Sequence, residues 1–116
     1  MYEYSAKVDR VVDGDTVDLH VDLGFGITIK ERFRLYGINA PETRTRDQDE
    51  KIRGMEAKKW LADKLHNSNN LRIRTVKDKK GKFGRYLCTL ILHDQDGGID
   101  LNKEMVELKL AKEYML

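Results

Sequence analysis

From Ser5 to Tyr36 the chain keeps a two-residue rhythm that only two tight turns interrupt. Ser5 to Val12 reads as a first strand. Val17, Leu19 and Val21 then alternate with Asp18, His20 and Asp22, the pattern of a strand with one apolar and one wet face. Asp13-Gly14-Asp15-Thr16 and Gly24-Phe25-Gly26 supply the turns on either side of it. A third strand follows over Ile27 to Tyr36, with Ile27, Ile29, Phe33 and Leu35 near the same rhythm. Three consecutive strands joined by tight turns form an antiparallel meander, and the fold has to be built around it.

The rest of the chain alternates helix and strand signals. Thr43 to Lys51 has no apolar residue and reads as a mobile loop. Gly54 to Asn67 reads as a helix, with Ala57, Trp60, Leu61 and Leu65 on one face and Trp60 as a core anchor. Leu71, Ile73 and Thr75 alternating with Arg72 and Arg74 give a fourth strand, Lys77 to Gly84 a basic turn, and Arg85 to His93 a fifth, central strand. Asp96-Gly97-Gly98 reads as a turn. Asp100 can cap a second helix with the stripe Leu101, Met105 and Leu108, and a helical or extended tail runs from Leu110 to Leu116. This order matches an α+β fold, the five-stranded Greek-key OB barrel with two to three helices, as a single domain over residues 1–116. Strand spacing alone does not separate it from other small α+β folds.

At 116 residues the chain can bury one core but not two. Net charge is only +2, yet residues 1–50 hold 7 Lys/Arg against 11 Asp/Glu while residues 51–116 hold 15 against 9. That division suits a polyanion binder with a cation site, although solvated helix faces give similar counts. The one cysteine, Cys88, excludes an internal disulfide and a cysteine-based zinc site, and its apolar surroundings mark it as a small core residue. His20, His66 and His93 fall on separate elements without metal-ligand spacing. No signal peptide or membrane-length apolar run is visible, so the expectation is a cytoplasmic protein, or a secreted one if a leader has been removed.

Chemistry concentrates in Arg32-Phe33-Arg34-Leu35-Tyr36-Gly37-Ile38-Asn39-Ala40-Pro41-Glu42. Pro41 cannot donate a ladder hydrogen bond and biases Ala40 toward extended backbone, so the strand ends before it. Arg34 and Glu42 thus leave a rigid sheet and a tight loop at close quarters. Asp13-Gly14-Asp15-Thr16 offers carboxylates to a hard cation, and Lys82-Phe83-Gly84-Arg85 ends a cationic turn with another arginine. Two arginines, one metal and one carboxylate are the parts that hydrolyse a phosphodiester, with Arg favoured because its planar fork grips two phosphate oxygens. Singly, each part has an ordinary explanation: a turn, a surface ion pair or a solvated loop.

Taken jointly and in order, the parts resemble the thermonuclease (staphylococcal nuclease-like) family. The resemblance rests on Val12-Asp13-Gly14-Asp15-Thr16-Val17, Phe33 to Glu42, Gly54-Met55-Glu56-Ala57, Lys82-Phe83-Gly84-Arg85-Tyr86-Leu87 and Leu110-Ala111-Lys112, and covers Val8 to Tyr114. It implies a calcium-dependent nuclease on an OB barrel, a hydrolase that cleaves DNA and RNA and leaves 3′-phosphate ends. By position, Asp15 matches the carboxylate calcium ligand, with Asn39 and the Ala40 carbonyl as the other protein ligands and Asp13 as an acid beside the metal. Glu42 matches the general base, and Arg34 and Arg85 the phosphate clamps, with Arg85 also a candidate for stabilising or protonating the leaving 5′-oxygen. Lys82, Tyr86 and Tyr114 are candidate nucleic-acid contacts.

Two departures stand out. Asn39 occupies a position where the family has Asp, which removes one negative charge from the metal site and predicts weaker calcium binding. The C-terminus is also short, since many relatives continue into another helix, and this bears on Tyr114. The main rival reading is a catalytically weak or inactive OB module of the same family that binds nucleic acid or protein. It competes poorly because Asp15, Arg34, Glu42 and Arg85 are all present. A ligand-binding barrel without a nucleic-acid role explains neither the paired arginines nor the basic turn. The expected substrates are DNA and RNA, preferentially single-stranded, acted on by a monomer with no membrane and no obligate protein partner.

Overall fold

The computed structural model of the chain describes residues 2–80, 85–94 and 97–114. Its strands are β1 (Tyr2–Asp13), β2 (Thr16–Gly24), β3 (Ile27–Leu35), β4 (Ile38–Asn39), β5 (Leu71–Lys80), β6 (Tyr86–Asp94), β7 (Gly97–Asp100) and β8 (Lys112–Glu113), and its helices are α1 (Gln48–His66) and α2 (Leu101–Glu107). The expected meander pairs Val17 with Val11 and Phe33, and Val21 with Ala6 and Ile29. Hydrogen-bonded neighbours run β3-β2-β1-β5-β6, and a parallel pairing of β3 with β6 closes the ring through Phe33↔Tyr86, Arg34↔Leu87 and Leu35↔Cys88. The result is the closed five-stranded barrel of an OB fold.

Alternation decides what fills it. Val17, Leu19, Val21, Phe33, Leu35, Ile73, Cys88 and Leu90 point inward and are buried, each large aliphatic contributing about 1.5–3 kcal/mol by leaving water. Burial also pushes the Cys88 thiol well above its ordinary pKa, consistent with an inert core residue. Ala57, Leu61 and Leu65 of α1 and Leu101 and Met105 of α2 complete this core. Trp60 is only half-buried at the core margin, with Lys64 Nζ 5.5 Å from its ring centre. Leu108 caps α2 and is exposed, because the helix ends before its side chain reaches the stripe.

Several boundaries differ from the sequence expectation for local physical reasons. Helix α1 begins at Gln48, not Gly54, because the Asp47 carboxylate accepts from the Asp49 and Glu50 amides at 3.0 and 3.2 Å. Strand β5 continues through Lys77–Lys80, so the basic segment begins as strand; residues 81–84 lie outside the described part. Gly97 and Gly98 belong to β7, which pairs with β6 through Asp94↔Gly97 and His93↔Gly98. The tail is extended where β8 pairs with β4, joining Ile38 to Glu113 and Asn39 to Lys112.

Asn102 ties these parts together. It is buried, its Nδ2 donates to the Tyr36 carbonyl (2.9 Å) and the Cys88 carbonyl (3.1 Å), and its Oδ1 accepts from the Leu90 amide (3.1 Å). One side chain of α2 thereby fixes the end of the meander against β6. No helix among the described residues is long and apolar enough to cross a membrane.

Candidate active site

The turn between β1 and β2 presents the first acidic group. Gly14 lets that turn settle onto α1: a β-carbon there would stand 2.8 Å from Ala57 Cβ and 3.0 Å from Ala40 Cβ. Asp15, next in the chain, is buried with its carboxylate held on both oxygens. Oδ1 accepts from the Thr16 hydroxyl at 3.0 Å and Oδ2 from the Ala40 amide at 2.9 Å. Asp13 accepts from the Thr43 hydroxyl, which ties the turn to the loop beyond Glu42.

The end of β3 supplies the guanidinium groups. Arg34 faces out of the barrel between the buried Phe33 and Leu35. Its Nη2 donates to the Ile38 carbonyl (3.2 Å) and to Asn39 Oδ1 (3.1 Å), and Nη1 lies 3.6 Å from Asp15 Oδ2. Tyr114 covers it, the Arg34 Cζ standing 5.4 Å from the ring centre, a cation–π arrangement. The Tyr114 amide donates to the Gly37 carbonyl at 2.8 Å, so the tail is anchored where it meets the arginine.

Glu42 is positioned through its backbone. Its amide donates to Glu50 Oε2 at 3.3 Å, and its carbonyl rests on α1 at Gly54, where a β-carbon would approach to 2.5 Å. Its side chain is exposed. Arg85 precedes β6 and is half-buried.

These groups share one cavity of about 570 Å³ whose lining includes Asp13, Asp15, Arg34, Asn39, Ala40, Glu42 and Arg85. Tyr86 lies elsewhere, its ring 6.1 Å from that of Phe33 and inclined by 39°; Tyr114 reaches the site through Arg34 rather than as part of the lining. Lys82 lies outside the described residues. Arg32 lines the same cavity and has no role in the sequence reading, although it lies two residues before Arg34 on the same strand face. It is engaged by Asp18, with Nε to Oδ1 at 2.7 Å and Nη2 to Oδ2 at 3.1 Å. This fork holds the Asp18 carboxyl below the usual carboxylate range.

Asp15, Asn39 and Ala40 all line this cavity, and between them they carry a carboxylate, a side-chain amide oxygen and a backbone carbonyl that could hold a divalent ion. All are hard oxygen donors, the chemistry that calcium accepts. No cluster of three or more His, Cys, Asp or Glu suited to a metal occurs among the described residues, so any ion held here would need carbonyl, amide or water oxygens beside the Asp15 carboxylate. These donor types fit a hard cation, and Asp15 is the buried carboxylate that would hold it.

Comparison with known proteins gives a concordant result. The model of the family described as staphylococcal nuclease homologue matches residues 32–116. The chain is 33% identical over 109 residues to the thermonuclease of Staphylococcus intermedius, covering 94% of this chain and 56% of that one. It is 32% identical over 111 residues to the thermonuclease of Staphylococcus hyicus, covering 96% and 57%. It is also 29% identical over 119 residues to the endonuclease YhcR of Bacillus subtilis, covering 98% of this chain and 9% of that protein. The chain spans less than two thirds of the length of these relatives.

Proposed function

Since this chain belongs to the family of staphylococcal nuclease homologues, we propose that it is a calcium-dependent endonuclease that hydrolyses DNA and RNA with little sequence preference and leaves 3′-phosphate ends. The observation that carries this reading is the convergence of Asp15, Arg34, Glu42 and Arg85, from three separate chain segments, on one cavity.

In this mechanism Glu42 orients a water molecule and takes its proton as the water oxygen attacks phosphorus. The bond from phosphorus to the 5′-oxygen breaks, the leaving oxygen takes up a proton beside Arg85 and becomes a 5′-hydroxyl, and the phosphate stays on the 3′-oxygen of the upstream nucleotide. Arg34 and Arg85 neutralise the charge that builds on the phosphoryl oxygens and the leaving oxygen, where fixed donors lower the barrier most. Calcium held by Asp15, Asn39 and Ala40 would add positive charge beside the same phosphate. Arginine clamps read the backbone and carry no base information, which accounts for low sequence preference. Unpaired strands are favoured because their phosphates are reached without opening a duplex, and binding weakens as salt rises.

A second reading, a binding module with weak or no catalysis, draws on Asn39, whose side-chain oxygen is engaged by Arg34 and carries no charge for a metal. Incubating single-stranded DNA, plasmid and RNA with and without calcium, and mapping the product ends, decides between the two. Cleavage confined to calcium, 3′-phosphate products and a loss of roughly 10²–10⁴-fold in Glu42→Gln fit the nuclease. Tight strand binding without cleavage fits the module.

A further inference from the structure

The Asn39–Ala40–Pro41 segment borders two cavities. One is the candidate active site, and the other is a pocket of about 220 Å³ that also has Arg53, Lys109 and Lys112 on its walls. Lys112 stands directly across the β4–β8 ladder from Asn39, so the cationic pocket is joined to the site by a backbone pairing. Glu50 and Glu56 also line the pocket. Glu50 is occupied by the Glu42 amide and the Thr45 hydroxyl. None of the three cations forms an ion pair with a described residue.

Lys109 adds an independent observation. It follows the C-cap of α2 with φ +61°, a left-handed conformation in which glycine is unstrained and lysine is not. The Lys109 amide donates to the Val106 carbonyl (3.1 Å) and the Leu110 amide to the Met105 carbonyl (2.9 Å), and this helix-ending turn fixes where the lysine meets the pocket.

We infer that the pocket of Arg53, Lys109 and Lys112 is a second phosphate subsite, which holds the nucleic-acid backbone after it crosses the Asn39–Pro41 segment from the cleavage site. This rests on the nuclease reading for its substrate class. The subsite makes binding depend on strand length: a strand that fills only the first cavity gains nothing from it, and a longer one releases further counterions on reaching the three cations.

The test measures fluorescence anisotropy of labelled oligothymidylates of about eight and about three nucleotides, with a chelator present so that strands stay intact, between ~50 and ~200 mM salt. In the Arg53→Gln/Lys112→Gln double variant the longer strand should bind about tenfold more weakly. The slope of log affinity against log salt should fall by about 1.4, or about 0.7 for each phosphate that is no longer neutralised. Affinity for the short strand should not change, and Lys112→Arg should bind like the wild type. An unchanged slope, or equal losses at both lengths, overturns the subsite. If the double variant fails to fold, Arg53→Gln alone reads the same slope, with about half the drop. Cleavage by the wild type in calcium is scored separately. A wild type that cleaves while the variant slope stays the same removes the subsite and leaves the nuclease. A slope that falls in a protein that cleaves nothing keeps the phosphate pocket and removes the nuclease.

Discussion

The carbonyl oxygen of Glu42 lies 2.5 Å from the point where a β-carbon on Gly54 would stand. Glycine inside a helix costs about 1 kcal/mol relative to alanine, and here it gives the Pro41–Glu42 backbone direct access to α1. Gly54→Ala should therefore displace the Glu42 backbone and with it the proposed general base. Turnover should fall by up to about 10²-fold, the scale of a misplacement near 1 Å, with KM changed far less. Steady-state kinetics on single-stranded DNA beside thermal unfolding check this; equal kcat in Gly54→Ala and wild type refutes the positioning.

Asn39→Asp adds an anionic oxygen beside that of Asp15 among the proposed calcium ligands. Calcium affinity should rise, by about tenfold or more given how strongly ligand charge tunes such sites. Isothermal titration of the two proteins with calcium measures this without reference to activity. Unchanged affinity would refute the charge account.

Arg32 and Arg34 line the same cavity with different commitments. Arg32 is forked onto Asp18, whereas Arg34 contacts the Asn39 and Asp15 oxygens. Arg34→Ala should lower turnover by about 10²-fold or more, as loss of a transition-state donor does. Arg32→Ala should cost at most about 1 kcal/mol of stability, since Arg32 is about half exposed and screened, and leave most activity intact.

The Asp18–Arg32 pair also sets a pH dependence. The Asp18 pKa is lowered in the folded protein, chiefly by its hydrogen bonds to Arg32. Between the folded and unfolded values the unfolded chain binds more protons, so stability rises with pH there. The contribution is complete above the unfolded carboxylate value, near ~4, and is lost as pH falls through the lower folded value. Denaturant melts of wild type and Asp18→Asn should differ at neutral pH and converge in acid.

Asn102→Ala should destabilise by about 2–3 kcal/mol, because it leaves the buried Leu90 amide without its acceptor and takes a donor from the part-buried Tyr36 carbonyl. Urea titration reads the loss. Activity should fall as well, since Tyr36 begins the loop that carries Asn39 and Glu42.

The meander and the barrel order were legible because one face of each strand is buried, and burial writes itself as alternation. The cap at Asp100 was legible for a similar local reason, its carboxylate accepting from the Lys103 amide. The cap at Asp47 is hidden in the sequence although Glu50 follows three residues later, the spacing of a capping pattern, because the polar run from Thr43 to Lys51 resembles a loop. The two-residue strands β4 and β8 are too short for any period, and the glycines of β7 suggest a turn. Asn102 could not be read from the chain, since its partners come from Tyr36, Cys88 and Leu90. The grouping of Asp15, Arg34, Glu42 and Arg85 was legible only through the order of their motifs. Distances between them depend on ring closure.

That closure rests on the short parallel seam from Phe33–Leu35 to Tyr86–Cys88. Side chains on a strand change face with every residue, so slipping this seam by one position would send Arg34 inward and turn Phe33 or Leu35 toward the cavity. A misthreaded molecule would therefore be loose and inert at once. Whatever preserves the hydrophobic fit of those few residues also keeps the arginine aimed into the cavity, and an assay of either property screens for the other.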